Sequence, residues 1–189
     1  MLLSFLDYSA LIINVLYTIG LACLKVWCWS LGIVGAILLL VLFAIKGMYS
    51  LVLLQCVCVI FFSYGWYNWY AQGIDGDHKR IKWMCHRDYL RYLVYTVILC
   101  ILSICFNYVT NSEDLFSMGI LTGITFVAVL MTIEKFMENW IVWILSDLYF
   151  VVVMYQKGLH GQVIQNFIFF LTAVYGFYHW FNNATSSKK

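Results

Sequence analysis

Residues 29–47 read WSLGIVGAILLLVLFAIKG and residues 140–158 read WIVWILSDLYFVVVMYQKG. Both open on Trp and close on Lys-Gly, 111 residues apart, and the match runs on without a gap. Ile33 falls on Ile144, Val41 on Val152, Val52 on Val163, Tyr64-Gly65 on Tyr175-Gly176, Tyr67 on Tyr178 and Trp69 on Trp180. That makes 10 identities in the 41 pairs from Trp29 to Trp69, several of them Trp, Tyr or Gly, which Leu/Val-rich sequence does not generate by itself. The chain therefore contains a duplicated segment.

Working outward, charges are spaced as a bilayer requires. Asp7 and Lys25 bracket 17 uncharged residues, Lys25 and Lys46 bracket 20, and Lys46 and Asp75 bracket 28. Arg91 to Glu113 leaves 21, Asp114 to Glu134 leaves 19, and Lys157 to Lys188 leaves 30. Asn139–Gln156 is a further stretch of 18, interrupted only by Asp147. Each is long enough for a helix to cross a hydrocarbon core about 30 Å thick. None alternates apolar and polar residues as a membrane β-strand does. The expected fold is all-α and integral to the membrane, with seven transmembrane helices.

The 111-residue shift carries span 1 onto 5, 2 onto 6 and 3 onto 7. An even number of spans separates each pair, so both copies insert with the same orientation. The expected division is a three-helix repeat over 1–70, a basic loop with linker helix 4 over 71–113, a second repeat over 114–182 and a tail over 183–189. This 3+1+3 arrangement resembles the sugar-transporting SWEET proteins. Proteins built from such repeats place their substrate near the midplane, where the copies meet. The chain has no proline, so any hinge falls to glycine.

Composition excludes other classes. At 64% hydrophobic and 11% charged, the chain has too few polar residues to cover a soluble domain, which carries about 25% charged. The net charge of +2 reports topology and gives no reason to invoke nucleic acid. Lys25, Lys79, Arg80, Lys82, Arg87, Arg91, Lys135, Lys188 and Lys189 fall on one side of the seven-span arrangement, and only Lys46 and Lys157 on the other. This places the N-terminus outside and the C-terminus in the cytoplasm. Met1–Leu24 reads as the first span, with no basic n-region before it. The basic stretch Asp77–Arg91 is expected at the cytoplasmic headgroups, with membrane lipid as its partner. The four His and seven Cys show no metal-ligand spacing, no nucleophile–base set is evident, and no P-loop is present. No catalytic residue, metal or cofactor is expected. The sequence is compatible with a homo-oligomer and does not set its size.

The most polar feature at membrane depth is the segment Glu138–Asp147 of the second copy. Trp140, Trp143 and Asp147 share one helical face at i, i+3 and i+7. A carboxylate at membrane depth costs several kcal/mol unless partnered or hydrated, which marks Asp147 either as functional or as an interhelical hydrogen-bonding group. The two tryptophans read as ligand-binding or as headgroup anchors. Gln55 and Asn166 occupy equivalent positions in spans 3 and 7, where two carboxamides suit the polar edges of a small ligand or structural interhelical bonds. Gln162 and Gln165 lie beside Asn166, so which of the three turns inward is open. Gly119 and Gly123 read as a close-packing face.

The run Glu138-Asn139-Trp140-x-x-Trp143-x-x-x-Asp147, then Lys157-Gly158-Leu159 and Tyr175-Gly176-x-x-x-Trp180, is similar to the second half of PnuC-type vitamin transporters. Trp29, Lys46-Gly47, Gln55 and Tyr64-Gly65-Trp66-Tyr67-x-Trp69 match their first half. The resemblance departs at Thr132–Met137, where only Lys135 is basic. It implies facilitated uptake of nicotinamide riboside across a bacterial inner membrane, trapped inside by phosphorylation, with thiamine or riboflavin as the cargo of sibling proteins. By this resemblance Trp140 and Trp143 form an aromatic wall while Gln55 and Asn166 give polar contacts. A transporter for thiamine or another vitamin, or a non-transporting scaffold subunit, are the alternatives.

Overall fold

The computed structural model describes residues 2–46, 49–71, 81–109, 115–156 and 160–186. These form seven α-helices: α1 (Leu2–Ala22), α2 (Cys28–Ile45), α3 (Tyr49–Ala71), α4 (His86–Val109), α5 (Leu115–Ile133), α6 (Glu138–Gln156) and α7 (His160–Ser186). Helix is the only open-chain structure that satisfies its own backbone polar groups in lipid. Among the described residues, Phe5–Ala22, Cys28–Ile45 and His86–Val109 are long and apolar enough to cross a membrane, and Gly119–Ile133 is a shorter apolar helix. Large apolar side chains such as Ile12, Ile60, Ile101, Leu145 and Leu171 face outward along the helices, as suits a protein solvated by lipid.

The chain divides into two compact units, Met1–Lys79 and Arg80–Lys189. In the first, α1 packs on α2 and α2 on α3. In the second, α5 packs on α6 and α6 on α7, and α4 adds itself to α5.

The helix ends reproduce the sequence repeat. α1 and α5 stop at Ala22 and Ile133, α2 and α6 at Ile45 and Gln156, and α3 and α7 start at Tyr49 and His160. Each pair is 111 residues apart. The turns that leave α1 and α5 also share their geometry. Leu24 and Lys135 adopt left-handed φ values of 56° and 58° although neither is glycine. Leu24 N–H donates to Leu21 O and Lys25 N–H to Gly20 O; Lys135 N–H donates to Thr132 O and Phe136 N–H to Met131 O. Both are Schellman closures, in which two amides satisfy carbonyls orphaned at the helix end. The left-handed conformation costs an ordinary residue about 1–2 kcal/mol, so each unit offsets the same local strain.

The second unit carries one further device. Gly119 and Gly123 leave room for α4: a Cβ at either would come within 2.7 Å of Ile104 or Cys100 atoms. Ahead of α4, Lys82 forms an isolated parallel bridge with Phe136. Its N–H donates to Lys135 O at 3.2 Å, and its carbonyl accepts from Met137 N–H at 2.9 Å. The described part of the basic stretch is thereby tied to the α5–α6 turn. Arg91 pairs with Glu134 at 2.7 Å and Asp88 at 3.2 Å, and the Lys82 ammonium lies 4.3 Å from the centre of the Phe136 ring.

Candidate functional site

Trp140 enters α6 one turn after the Schellman closure and is buried, 3% exposed, so it is no headgroup anchor. Its ring meets Trp180 edge to face at 5.2 Å. Gly176 makes that approach possible, since a Cβ there would lie 2.5 Å from the Trp140 ring. The first unit has the same arrangement: Trp29 meets Trp69 edge to face at 5.4 Å, over Gly65. Both Nε1 atoms, of Trp29 and Trp140, are buried without a hydrogen-bond partner among the described residues. The shared Trp-Gly-Trp lock explains why those three residue types repeat at one spacing.

Around this lock the units differ. In the first, Tyr17 packs against Phe62 at 5.0 Å and Trp29 at 5.9 Å. Gly32 lets both rings in: a Cβ there would come 2.9 Å from Tyr17 and 3.1 Å from Phe62. The equivalent positions in the second unit hold Ala128, Ala173 and Trp143. The large side chain has moved from α1 and α3 onto α6, and Ala128 and Ala173 are buried where rings stand in the first unit. Trp143 itself is half-buried, and its Nε1–H donates to Thr132 Oγ1 at 3.3 Å. Thr132 also bonds Ala128 O at 2.8 Å and Asn139 Oδ1 at 3.2 Å, while Asn139 Nδ2 donates to Phe136 O.

Asp147 lies one turn beyond Trp143 on the same face and is buried, 4% exposed. Among the described residues it has no hydrogen-bond or ion-pair partner. Its counterpart in the first unit is the equally buried Ala36, so the position does not need a carboxyl to be filled. Ser146 Oγ donates to Trp143 O at 3.1 Å. Asn166 is half-buried on α7, on the stripe that continues through buried Ala173 and Trp180 at seven-residue steps. Gln55 holds the matching place on α3, on the stripe of Phe62 and Trp69. The second unit thus contains Trp140, Trp143, Asp147 and Asn166, and the first contains Gln55. Gln165 is half-buried, and the Gln162 side chain and Lys157–Leu159 lie outside the described residues.

Thr132 is not singled out from sequence, and Glu138 and Asn139 are read there only as part of the family-like run, with no role assigned to either. Thr132 and Asn139 fall on Leu21 and Cys28 of the first copy, and Glu138 falls on Trp27. A polar residue standing where its repeat mate is apolar is the signal that finds them. Glu138 Oε1 accepts Met84 N–H and Tyr89 O–H, each at 2.9 Å, and fastens the segment before α4 to the start of α6.

Comparison with known proteins identifies the family. A family described as "Nicotinamide mononucleotide transporter" matches residues 4–182. The nicotinamide riboside transporter PnuC of Escherichia coli (strain K12) is 24% identical over 203 residues, covering 89% of this chain and 82% of that protein. The protein of the same name from Shigella flexneri gives the same figures. A crystal structure of the vitamin B3 transporter PnuC shares the fold, with a TM-score of 0.76 at 16% identity over 97% of this chain and 83% of that one. With a family match that spans nearly its whole length, this chain belongs to the nicotinamide mononucleotide transporter family, a family of transporters and not of enzymes.

Proposed function

We propose that the protein carries nicotinamide riboside into the cytoplasm across a bacterial inner membrane, and that phosphorylation inside traps it. The observation that carries this reading is the charge pattern of the helices. α1, α2, α3, α5, α6 and α7 contain no Lys or Arg, and α4 has only Arg87 and Arg91 in its first two turns, with Arg91 paired to Glu134. A mononucleotide would bring a phosphate into those spans with no cation to meet it, an expensive burial. The riboside carries a pyridinium and no phosphate. A tryptophan face attracts a desolvated cation by about 2 kcal/mol or more, and Trp143 offers one.

In this reading Trp140, Trp143, Asp147 and Asn166 of the second repeat and Gln55 of the first are the substrate-binding residues, with Trp140 and Trp143 as the aromatic wall and Gln55 and Asn166 as polar contacts. The repeats divide as 1–70 and 114–182 around a linker over 71–113, ahead of the tail over 183–189. The N-terminus lies outside, and membrane lipid covers the outward apolar faces. Proteoliposomes containing the protein should take up labelled nicotinamide riboside, with unlabelled riboside competing and the mononucleotide competing little. Uptake blocked equally by both would reject the charge argument. Uptake of thiamine alone would keep the transporter and replace its cargo.

A further inference from the structure

We propose that Thr132 is a positioning residue whose hydroxyl fixes the indole of Trp143 in its ligand-receiving orientation, with Asn139 holding Thr132 in turn. The proposal rests on the reading that Trp143 lines the site.

The first observation is the hydrogen-bond chain itself. Trp143 Nε1–H donates to Thr132 Oγ1. The Thr132 proton then has two acceptors, Ala128 O on the preceding turn and Asn139 Oδ1. The Asn139 amide is held by its own bond to Phe136 O, at the turn between α5 and α6. Thr132 and Asn139 are 1% and 0% exposed, so water does not compete for these bonds.

The second observation separates this chain from ordinary packing. The same three-helix fold is built in the first unit with Leu21, Cys28 and Gly32 at the equivalent positions, and none of the three can form such a network. The Schellman closure and the Trp-Gly-Trp lock are present in both units. The fold therefore does not require the network; only the second unit, with its half-buried tryptophan, has one. The two tryptophans of the α6 motif are also held differently. Trp140 is fixed by Trp180 and Gly176, with its Nε1 unpartnered. Trp143 is anchored at one ring edge by a hydrogen bond. An edge-anchored indole keeps its π face in one direction and need not be ordered by the ligand.

The test uses the full-length protein in detergent micelles or nanodiscs. It measures riboside affinity together with the ¹⁵N–¹H resonance of the Trp143 indole, assigned by its loss in Trp143→Phe. In the unliganded wild type that proton should be protected from solvent exchange. Thr132→Val keeps the shape and removes the acceptor; it should shift the resonance, speed exchange and weaken binding about three- to tenfold. Thr132→Ser should keep both signals. Weakened binding in Trp143→Phe beside an unaltered Thr132→Val sinks the positioning role alone. Unchanged affinity in Trp143→Phe sinks the site reading on which it rests. If Thr132→Val does not fold, the wild-type protein decides: an indole proton that exchanges as freely as an exposed tryptophan overturns the proposal.

Discussion

Replacing Gly176 with alanine puts a methyl carbon 2.5 Å from Cη2 of Trp140 and 2.6 Å from Cζ2 and Cζ3. Ordinary contact begins near 3.4 Å, so about 0.9 Å must be found by moving the ring or the helix. The ring has nowhere to go, being buried and held edge to face by Trp180. Overpacking of this kind costs about 1–3 kcal/mol. For a chain of this length each kcal/mol lowers the melting midpoint by about 2–4 °C, so a fall of about 2–12 °C is expected. Thermal melting of the detergent-purified protein measures it. Gly65→Ala should cost a similar amount, because its Cβ would meet Trp29 at the same 2.5 Å. Trp140→Phe removes the benzo-ring carbons that clash and should recover part of the loss on the Gly176→Ala background. If Gly176→Ala melts like wild type, or the Trp140→Phe background gives no relief, the Trp-Gly-Trp lock does not hold the unit together.

Glu138→Ala leaves Met84 N–H and Tyr89 O–H without their acceptor and should destabilise the protein by about 1–3 kcal/mol in the same melting assay, whereas Glu138→Gln keeps an acceptor oxygen and should cost less. Reporters fused after Lys189 should be active only with a cytoplasmic reporter; activity of a periplasmic one would reverse the topology. A uniporter of a monocation moves one charge per cycle, so an inside-negative potential of about 100 mV should favour entry by about 2.3 kcal/mol. That is an accumulation of roughly fifty-fold in liposomes under a potassium diffusion potential. Accumulation that ignores the potential but follows a pH gradient would point to proton exchange through Asp147 instead.

The helices were legible because lipid demands long charge-free runs, and the interruptions at Lys25, Lys46 and Glu134 fall at or beside helix ends. The duplication was legible because Trp and Gly are rare enough for a single offset to stand out. Its structural meaning was not: Trp29 and Trp140 match because each locks its own unit, and only the ring distances show this. The left-handed turns at Leu24 and Lys135 were invisible, since neither residue is the glycine that usually marks such a turn. Thr132 was hidden for a different reason. A lone threonine in an apolar helix ordinarily bonds its own preceding turn, and its link to Trp143 depends on how α5 and α6 come together. The bridge between Lys82 and Phe136 joins residues 54 apart, beyond the reach of any local pattern.

Calorimetric titration of the purified protein with nicotinamide riboside, its mononucleotide and thiamine tests the central claim most directly, run in parallel on wild type and Trp143→Ala. The riboside should bind wild type most tightly, the mononucleotide should bind poorly for want of a cation in the spans, and Trp143→Ala should lose about 1–2 kcal/mol of riboside affinity. Equal binding of riboside and mononucleotide, or riboside affinity unchanged in folded Trp143→Ala, would contradict it.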